Sequence, residues 1–205
     1  SLMNVNSLFI FTHDSIYLGE DGPTHQPIEH LMSLRLIPNL DVIRPSNSME
    51  LIHSYRYALE KKDNPKAIIL SRQNMKFFDN DVSYKDFQKG AYEFMPGKDI
   101  TLVATGSELE LAVEISKNLK DLSVQIISAP ILNKINKKMI GSLNLNQNIF
   151  TLELGRSTGW DSYIENITRS FSIDSFGESA PIEALTERFS FSAKKISDEI
   201  RSLLN

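Results

Sequence analysis

Between Phe11 and Pro27 the chain reads Phe-Thr-His-Asp-Ser-Ile-Tyr-Leu-Gly-Glu-Asp-Gly-Pro-Thr-His-Gln-Pro, a stretch with two histidines, two aspartates, one glutamate and two glycines. Imidazoles titrate near neutral pH and can move protons, and carboxylates accept hydrogen bonds from ligand donors. His13, Asp21 and His25 are therefore the first candidates for chemistry. Arg72 is the next, because Ala67-Ile68-Ile69-Leu70-Ser71-Arg72 places a guanidinium just past an apolar run, and its planar fork matches a phosphate group. The same residues also fit a plainer reading, as turn-forming loop groups satisfied by backbone and an arginine in a surface ion pair. A metal site is a poor fit, since the spacing of His13, Asp21 and His25 matches no standard zinc arrangement and the chain has no cysteine. His30 and His53 fall on helix faces and Lys134–Lys138 reads as a solvated face. Arg156 and Glu178 sit in loops without an assignable partner, and Trp160 with Tyr163 fits a core role better than an interface anchor.

The elements that must hold these groups alternate between strand and helix. Short runs rich in β-branched and aromatic residues at 8–11, 40–43, 66–70, 100–104, 124–128, 149–152 and 170–174 predict strands. They read as continuous apolar runs rather than strict alternation, as suits parallel strands covered on both faces. Asn47 with Glu50 predicts a capped helix through Met49, Ile52, Tyr55 and Leu59, ending near Lys61 and Lys62. Ser107 with Glu110 predicts a second, burying Leu109, Ala112, Ile115 and Leu119. Pro27 and Pro181 open two more, the first ended by Pro38. The expected fold class is α/β, with two doubly wound, mostly parallel units. Residues 1–75 form the first, an incomplete half-domain with three strands and two helices. Residues 76–96 are expected as a linker, and 97–205 as the second unit. In such sheets ligands bind beyond the carboxyl ends of the strands, and both the 12–26 loop and Arg72 follow strands directly.

Composition removes several classes of function. The 205 residues are 41% hydrophobic and 23% charged, which is ordinary globular usage. The net charge of -4 supplies no general attraction to nucleic acid or to anionic membrane. The absence of cysteine excludes disulfide and thiolate chemistry and is compatible with the cytoplasm, the expected location. No apolar run approaches the length of a membrane span, and no secretory signal is visible at Ser1–Asn4.

Read in order, Thr12-His13-Asp14-Ser15-Ile16, Gly19 to Pro27, Leu34-Arg35-Leu36-Ile37-Pro38-Asn39, Arg44-Pro45 and Leu70-Ser71-Arg72-Gln73-Asn74 closely resemble transketolases. Ala104-Thr105-Gly106-Ser107-Glu108 and Ser175 to Pro181 are similar to the same enzymes' C-terminal domain, so the resemblance covers essentially the whole chain. The Asp-Gly-Pro-Thr-His core is shared with deoxyxylulose-phosphate synthase, but Thr12 to Ser15 favours transketolase. The resemblance implies a thiamine diphosphate enzyme of the pentose phosphate pathway. Such an enzyme moves a two-carbon ketol unit from a ketose phosphate (xylulose 5-phosphate) to an aldose phosphate (ribose 5-phosphate or erythrose 4-phosphate).

It also implies roles by matching position. His25 stands near the donor carbonyl as the catalytic group and substrate contact, Asp21 on a substrate hydroxyl, and His13 with Arg72 on the substrate phosphate. In this family the diphosphate and its magnesium or calcium ion, the cofactor-activating glutamate and the pyrimidine pocket belong to upstream sequence. No cofactor-binding or metal residue is therefore expected in this segment, and the 205 residues alone are expected not to turn over sugar phosphates. Family members are homodimers, so the expected partners are a homodimer mate or the missing N-terminal portion, besides the sugar phosphates. The alternatives are a deoxyxylulose-phosphate synthase-like segment and a non-catalytic sugar-phosphate-binding or assembly module.

Overall fold

The computed structural model describes residues 1–78 and 82–204; Asp79, Asn80 and Asp81, within the expected linker, and Asn205 lie outside the described residues. Three strands, β1 (Leu8–Phe11), β2 (Asp41–Ile43) and β3 (Lys66–Ile69), form a parallel sheet in the order β1-β3-β2. Helix α1 (His30–Arg35) carries the chain from β1 to β2, and α2 (Ser48–Glu60) carries it back to β3. β2 and β3 are buried along their length, including the charged Asp41 and Lys66 at their starts. β1 is apolar throughout but stands at the edge, with Leu8 39% and Phe9 47% exposed on alternate faces. Neither face of this strand is covered, so the first sheet is incomplete on that side.

The second sheet has five strands: β4 (Tyr92–Met95), β5 (Ile100–Ala104), β6 (Val124–Ser128), β7 (Asn148–Leu152) and β8 (Ile167–Phe171). Their order is β4-β6-β5-β7-β8, all parallel except β4. Five helices complete the described chain: α3 (Tyr84–Phe87), α4 (Glu108–Asn118), α5 (Lys137–Ser142), α6 (Ile182–Arg188) and α7 (Ala193–Leu204). No described helix is long and apolar enough to cross a membrane. Leu102, Ile126 and Phe150 of the sheet pack with Leu109, Ala112 and Ile115 of α4 and with Ile196 and Ile200 of α7 in one core. Each fully buried side chain of this size contributes about 1.5–3 kcal/mol.

Several expectations shift. Within the expected 76–96 linker the described residues form α3 and β4, and β4 is an antiparallel edge strand of the second sheet. The last strand begins at Ile167, three residues before the expected 170–174 run, because Thr168 and Arg169 face solvent on an edge strand and break the apolar pattern. Asn47 caps α2 as expected, accepting from Glu50 N at 3.0 Å, but the Glu50 carboxylate reaches back one residue further, to Ser46 N at 2.6 Å. At α4 the expected capping box does not form; the Ser107 hydroxyl donates instead to Glu108 Oε1 at 2.5 Å. Lys134 is not simply solvated, since its Nζ lies 3.2 Å from Asp41 Oδ1. Trp160 is core, as expected. Arg156 Nη1 donates to the Asp174 carbonyl at 2.7 Å, and Glu178 pairs with Arg188 at 3.0 Å.

Glu50 joins the two sheets from within. On α2 of the first unit, it accepts from Tyr92 OH of β4 at 2.8 Å and from Ser128 Oγ of β6 at 2.5 Å. Burial raises its carboxyl above the ordinary glutamate range, and bonds from Ser128, Ser46 and Tyr92 offset only part of that. A folded state that holds this proton more tightly than the unfolded chain has the resulting stability in full below the ordinary value of 4.5, and loses it as pH rises through the folded value. The melting temperature of the parent relative to Glu50→Gln is therefore expected to fall as pH rises from 4.5 toward neutrality. Melts of both proteins across that range check this, and a difference constant with pH contradicts it.

Candidate functional site

The loop that leaves β1 turns sharply. His13 and Ser15 both adopt left-handed backbone, with φ 64 and φ 73. Such conformations in residues other than glycine cost about 1–3 kcal/mol each and persist only where surroundings enforce them. Asp14 between them is tied by its backbone N–H to the Leu70 carbonyl at 3.2 Å, at the end of β3. A helical turn over Ile16–Asp21 is interrupted at Gly19, and the chain reverses at Gly22. The N–H groups of His25 and Gln26 then donate to the Gly22 carbonyl at 3.0 and 3.1 Å before α1 begins.

This path brings His13, Asp21 and His25 to the wall of one cavity of about 640 Å³, together with Thr12, Thr24 and His30. Thr12 Oγ1 lies 2.8 Å from His13 Nδ1, and Thr24 Oγ1 lies 2.9 Å from His25 Nδ1. Each imidazole is thus engaged at Nδ1 by the preceding threonine, which orients the ring and leaves Nε2 to meet a ligand. Arg72 does not line this cavity. It is exposed, three residues past the end of β3, the strand that pairs with β1, so it shares the carboxyl edge from which the His13 loop rises. His53 stands apart from all of these, buried with Nε2 2.9 Å from the Val82 carbonyl.

Behind the loop lies a buried set of charges. Arg44 follows β2, and its Nε donates to Asp14 Oδ2 at 2.5 Å while its Nη1 donates to Glu108 Oε2 and, at 2.7 Å, to the Thr105 carbonyl. The Arg44, Asp14 and Glu108 side chains are each 1% exposed. Burial works to lower the arginine pKa, but the two carboxylates outweigh it, so Arg44 stays charged. Burial raises Glu108 in spite of Arg44. Gly106, at φ 59, is a glycine of necessity, because a Cβ there would meet the Arg44 side chain at 2.7 Å. A second pair runs parallel: Arg35 of α1 grips Glu153 with two bonds of 2.8 and 2.7 Å, and Trp160 Nε1 donates to the same carboxylate at 3.0 Å. Here burial, which raises the carboxyl, is outweighed by Arg35, Arg44 and the Trp160 hydrogen bond together, and the net shift is downward. Both pairs join the first unit to the second.

Sequence reasoning singled out His13, Asp21, His25 and Arg72 but gave no role to Asp14, Arg44 or Glu108. A usable signal exists for Arg44, which directly follows a buried strand, as Arg72 follows another by three residues. For Glu108 the sequence shows only a helix start.

Two family models match the chain: "Transketolase, pyrimidine binding domain" over residues 1–77 and "Transketolase-like TK C-terminal domain" over residues 90–192. The transketolase of Staphylococcus aureus is 37% identical over 216 aligned residues, covering 99% of this chain and 32% of that protein. That of Halalkalibacterium halodurans is also 37% identical, covering all of this chain and 32% of its own length. The chain thus spans about a third of the length of the curated relatives it matches. Among solved structures, a transketolase mutant from Pichia stipitis superposes with a TM-score of 0.90 at 31% identity, over 98% of this chain and 30% of that one. A split-gene transketolase described as an inactive β4 tetramer shares the fold, with a TM-score of 0.81 at 24% identity over 99% of this chain and 68% of that one.

Replacing Arg44 by methionine leaves Asp14 and Glu108 buried without a cation, and is expected to cost about 3–5 kcal/mol of folding stability. Urea unfolding of parent and variant measures this; a loss below about 1 kcal/mol, the level of an exposed pair, contradicts the assignment.

Proposed function

The chain belongs to the transketolase family, and we propose that it is the substrate-facing segment of a cytoplasmic transketolase, with residues 1–75 and 97–205 as its two units. The reaction is transfer of a two-carbon ketol unit from a ketose phosphate such as xylulose 5-phosphate to an aldose phosphate such as ribose 5-phosphate or erythrose 4-phosphate. The observation that carries this reading is the convergence of His13, Asp21 and His25 on one cavity, with Arg72 raised from the adjoining strand. Imidazole and carboxylate groups on one cavity wall, with a guanidinium along the same sheet edge, suit a ligand that is both polyhydroxylated and phosphorylated.

Each side chain has a task within its chemistry. Arg72 offers a fixed fork to the phosphate, and His13 Nε2 supplies a second donor. Asp21 accepts from a sugar hydroxyl and so reads its configuration. His25 Nε2 holds a proton against the donor's carbonyl or terminal hydroxyl oxygen, where general acid–base help is worth about 10²–10⁴-fold. Family membership implies dependence on thiamine diphosphate with a divalent ion, magnesium or calcium. Among the described residues there is no group of three His, Cys, Asp or Glu able to hold such an ion. The described residues do not fit that part of the cofactor.

The cofactor-holding portion is therefore a partner, either upstream in one polypeptide or as a separate chain, within a homodimeric enzyme. The bare apolar edge at β1 supports this, since a parallel sheet needs cover on both faces. The inactivity named for the split-gene β4 tetramer of the same fold is in keeping with it.

The test is reconstitution. The 205-residue chain with thiamine diphosphate and magnesium is expected to be inactive, and the chain combined with the cofactor-bearing portion active with xylulose 5-phosphate and ribose 5-phosphate. In the combination, His25→Ala is expected to lower kcat/KM about 100-fold or more. Turnover by the chain alone, or a His25→Ala combination as active as the parent, would contradict the proposal.

A further inference from the structure

Residues 177–182 of the second unit lie along the loop that carries Asp21 and His25, and they touch it at three places. Ala180 O and Ile182 Cγ1 approach Gly19, each at 3.7 Å from where a Cβ would stand. The Ser179 hydroxyl donates to the Glu20 carbonyl, and Ser179 Cβ lies 3.1 Å from where a Cβ on Gly22 would stand. Gln26, next to His25 and 4% exposed, donates from Nε2 to Gly19 O at 2.8 Å and to Glu178 O at 3.0 Å, with a longer bond of 3.4 Å to Ile16 O. One amide thus spans the loop and fastens it to the second unit. Its Oε1 is buried without a partner, and the space facing it is kept by Gly177, where a Cβ would fall directly on that oxygen. Glu178 is in turn held by Arg188 of α6, so the segment is anchored to a helix rather than left free.

From this geometry we infer that Gln26, Gly177 and Ser179 are positioning residues that set the specificity of the site. They fix the loop that presents Asp21 and His25, while His13 and Arg72 rise from β1 and β3 outside the brace. The inference rests on the proposed sugar-phosphate site for the identity of the ligand. A methyl group at position 177 pushes on the Gln26 amide and shifts the loop. Removing the Ser179 hydroxyl loosens its other end without adding bulk. Misplacement of this kind weakens contacts to the sugar hydroxyls and leaves the phosphate anchor in place.

The experiment uses the complete enzyme, with Gly177→Ala and, as the milder change, Ser179→Ala. Both are expected to raise KM for xylulose 5-phosphate about tenfold and to lower kcat as well, since His25 moves with Asp21, and to leave inhibition by inorganic phosphate unchanged. Hydrogen exchange at the His25 and Gln26 amides is expected to quicken about tenfold in the same proteins. The inference is overturned if both variants keep KM and exchange within about twofold of the parent, or if phosphate inhibition weakens as much as KM rises, since that marks collapse of the whole site. A parent enzyme that does not turn over sugar phosphates overturns the proposed function instead, and the exchange rates still decide whether the brace exists.

Discussion

A guanidinium at 1% exposure needs compensating charge, and Arg44 finds it in two places that are far apart in the sequence. Asp14 belongs to the loop that carries the candidate site, and Glu108 opens α4 of the second unit. Either carboxylate left alone in that position would face the desolvation cost of an unpaired buried ion, which is several kcal/mol. The three groups must therefore come together for any one of them to be buried without that cost. When they do, they fix Asp14 between two residues in left-handed backbone, and so the direction in which His13 leaves the sheet. Arg35 with Glu153, and Glu50 with Tyr92 and Ser128, repeat the principle across the same junction. The site loop is held from behind by polar contacts that reach into the second unit.

Much of this architecture was legible in the sequence, because local physics and tertiary structure agree there. The apolar runs at 100–104 and 124–128 are strands, and the period of Leu109, Ala112 and Ile115 is the buried face of α4. Position relative to strand ends picked out His13, Asp21 and His25, and the structure brings those three to one cavity. What was not legible depends on partners distant in sequence. Ser107 looks like a helix cap until Arg44 arrives beside it, and then its hydroxyl serves the Glu108 carboxylate instead. The local signal for β4, at Ala91 to Met95, is faint, because an edge strand needs only one buried face and takes its register from β6. Gln26 in the sequence is one polar residue among many, and its importance comes from a glycine more than a hundred residues away.

The second unit thus touches the loop of the candidate site from two sides. Glu108 grips Arg44 behind His13, and Gly177 to Ala180 press on the loop that bears Asp21 and His25. The first unit is open at β1, whose apolar side chains face outward on both sides of the sheet. The chain therefore presents the candidate site, backed by buried ion pairs, beside a sheet edge whose apolar side chains are exposed.

The most direct test of this account is a crystal structure of the complete enzyme with a ketose phosphate bound. The account predicts the phosphate within hydrogen-bonding distance of Arg72 and His13, a sugar hydroxyl on Asp21, and the carbonyl or terminal hydroxyl oxygen on His25 Nε2, with Arg44 still between Asp14 and Glu108. A sugar phosphate bound elsewhere, with His13, Asp21 and His25 all out of reach, would contradict it.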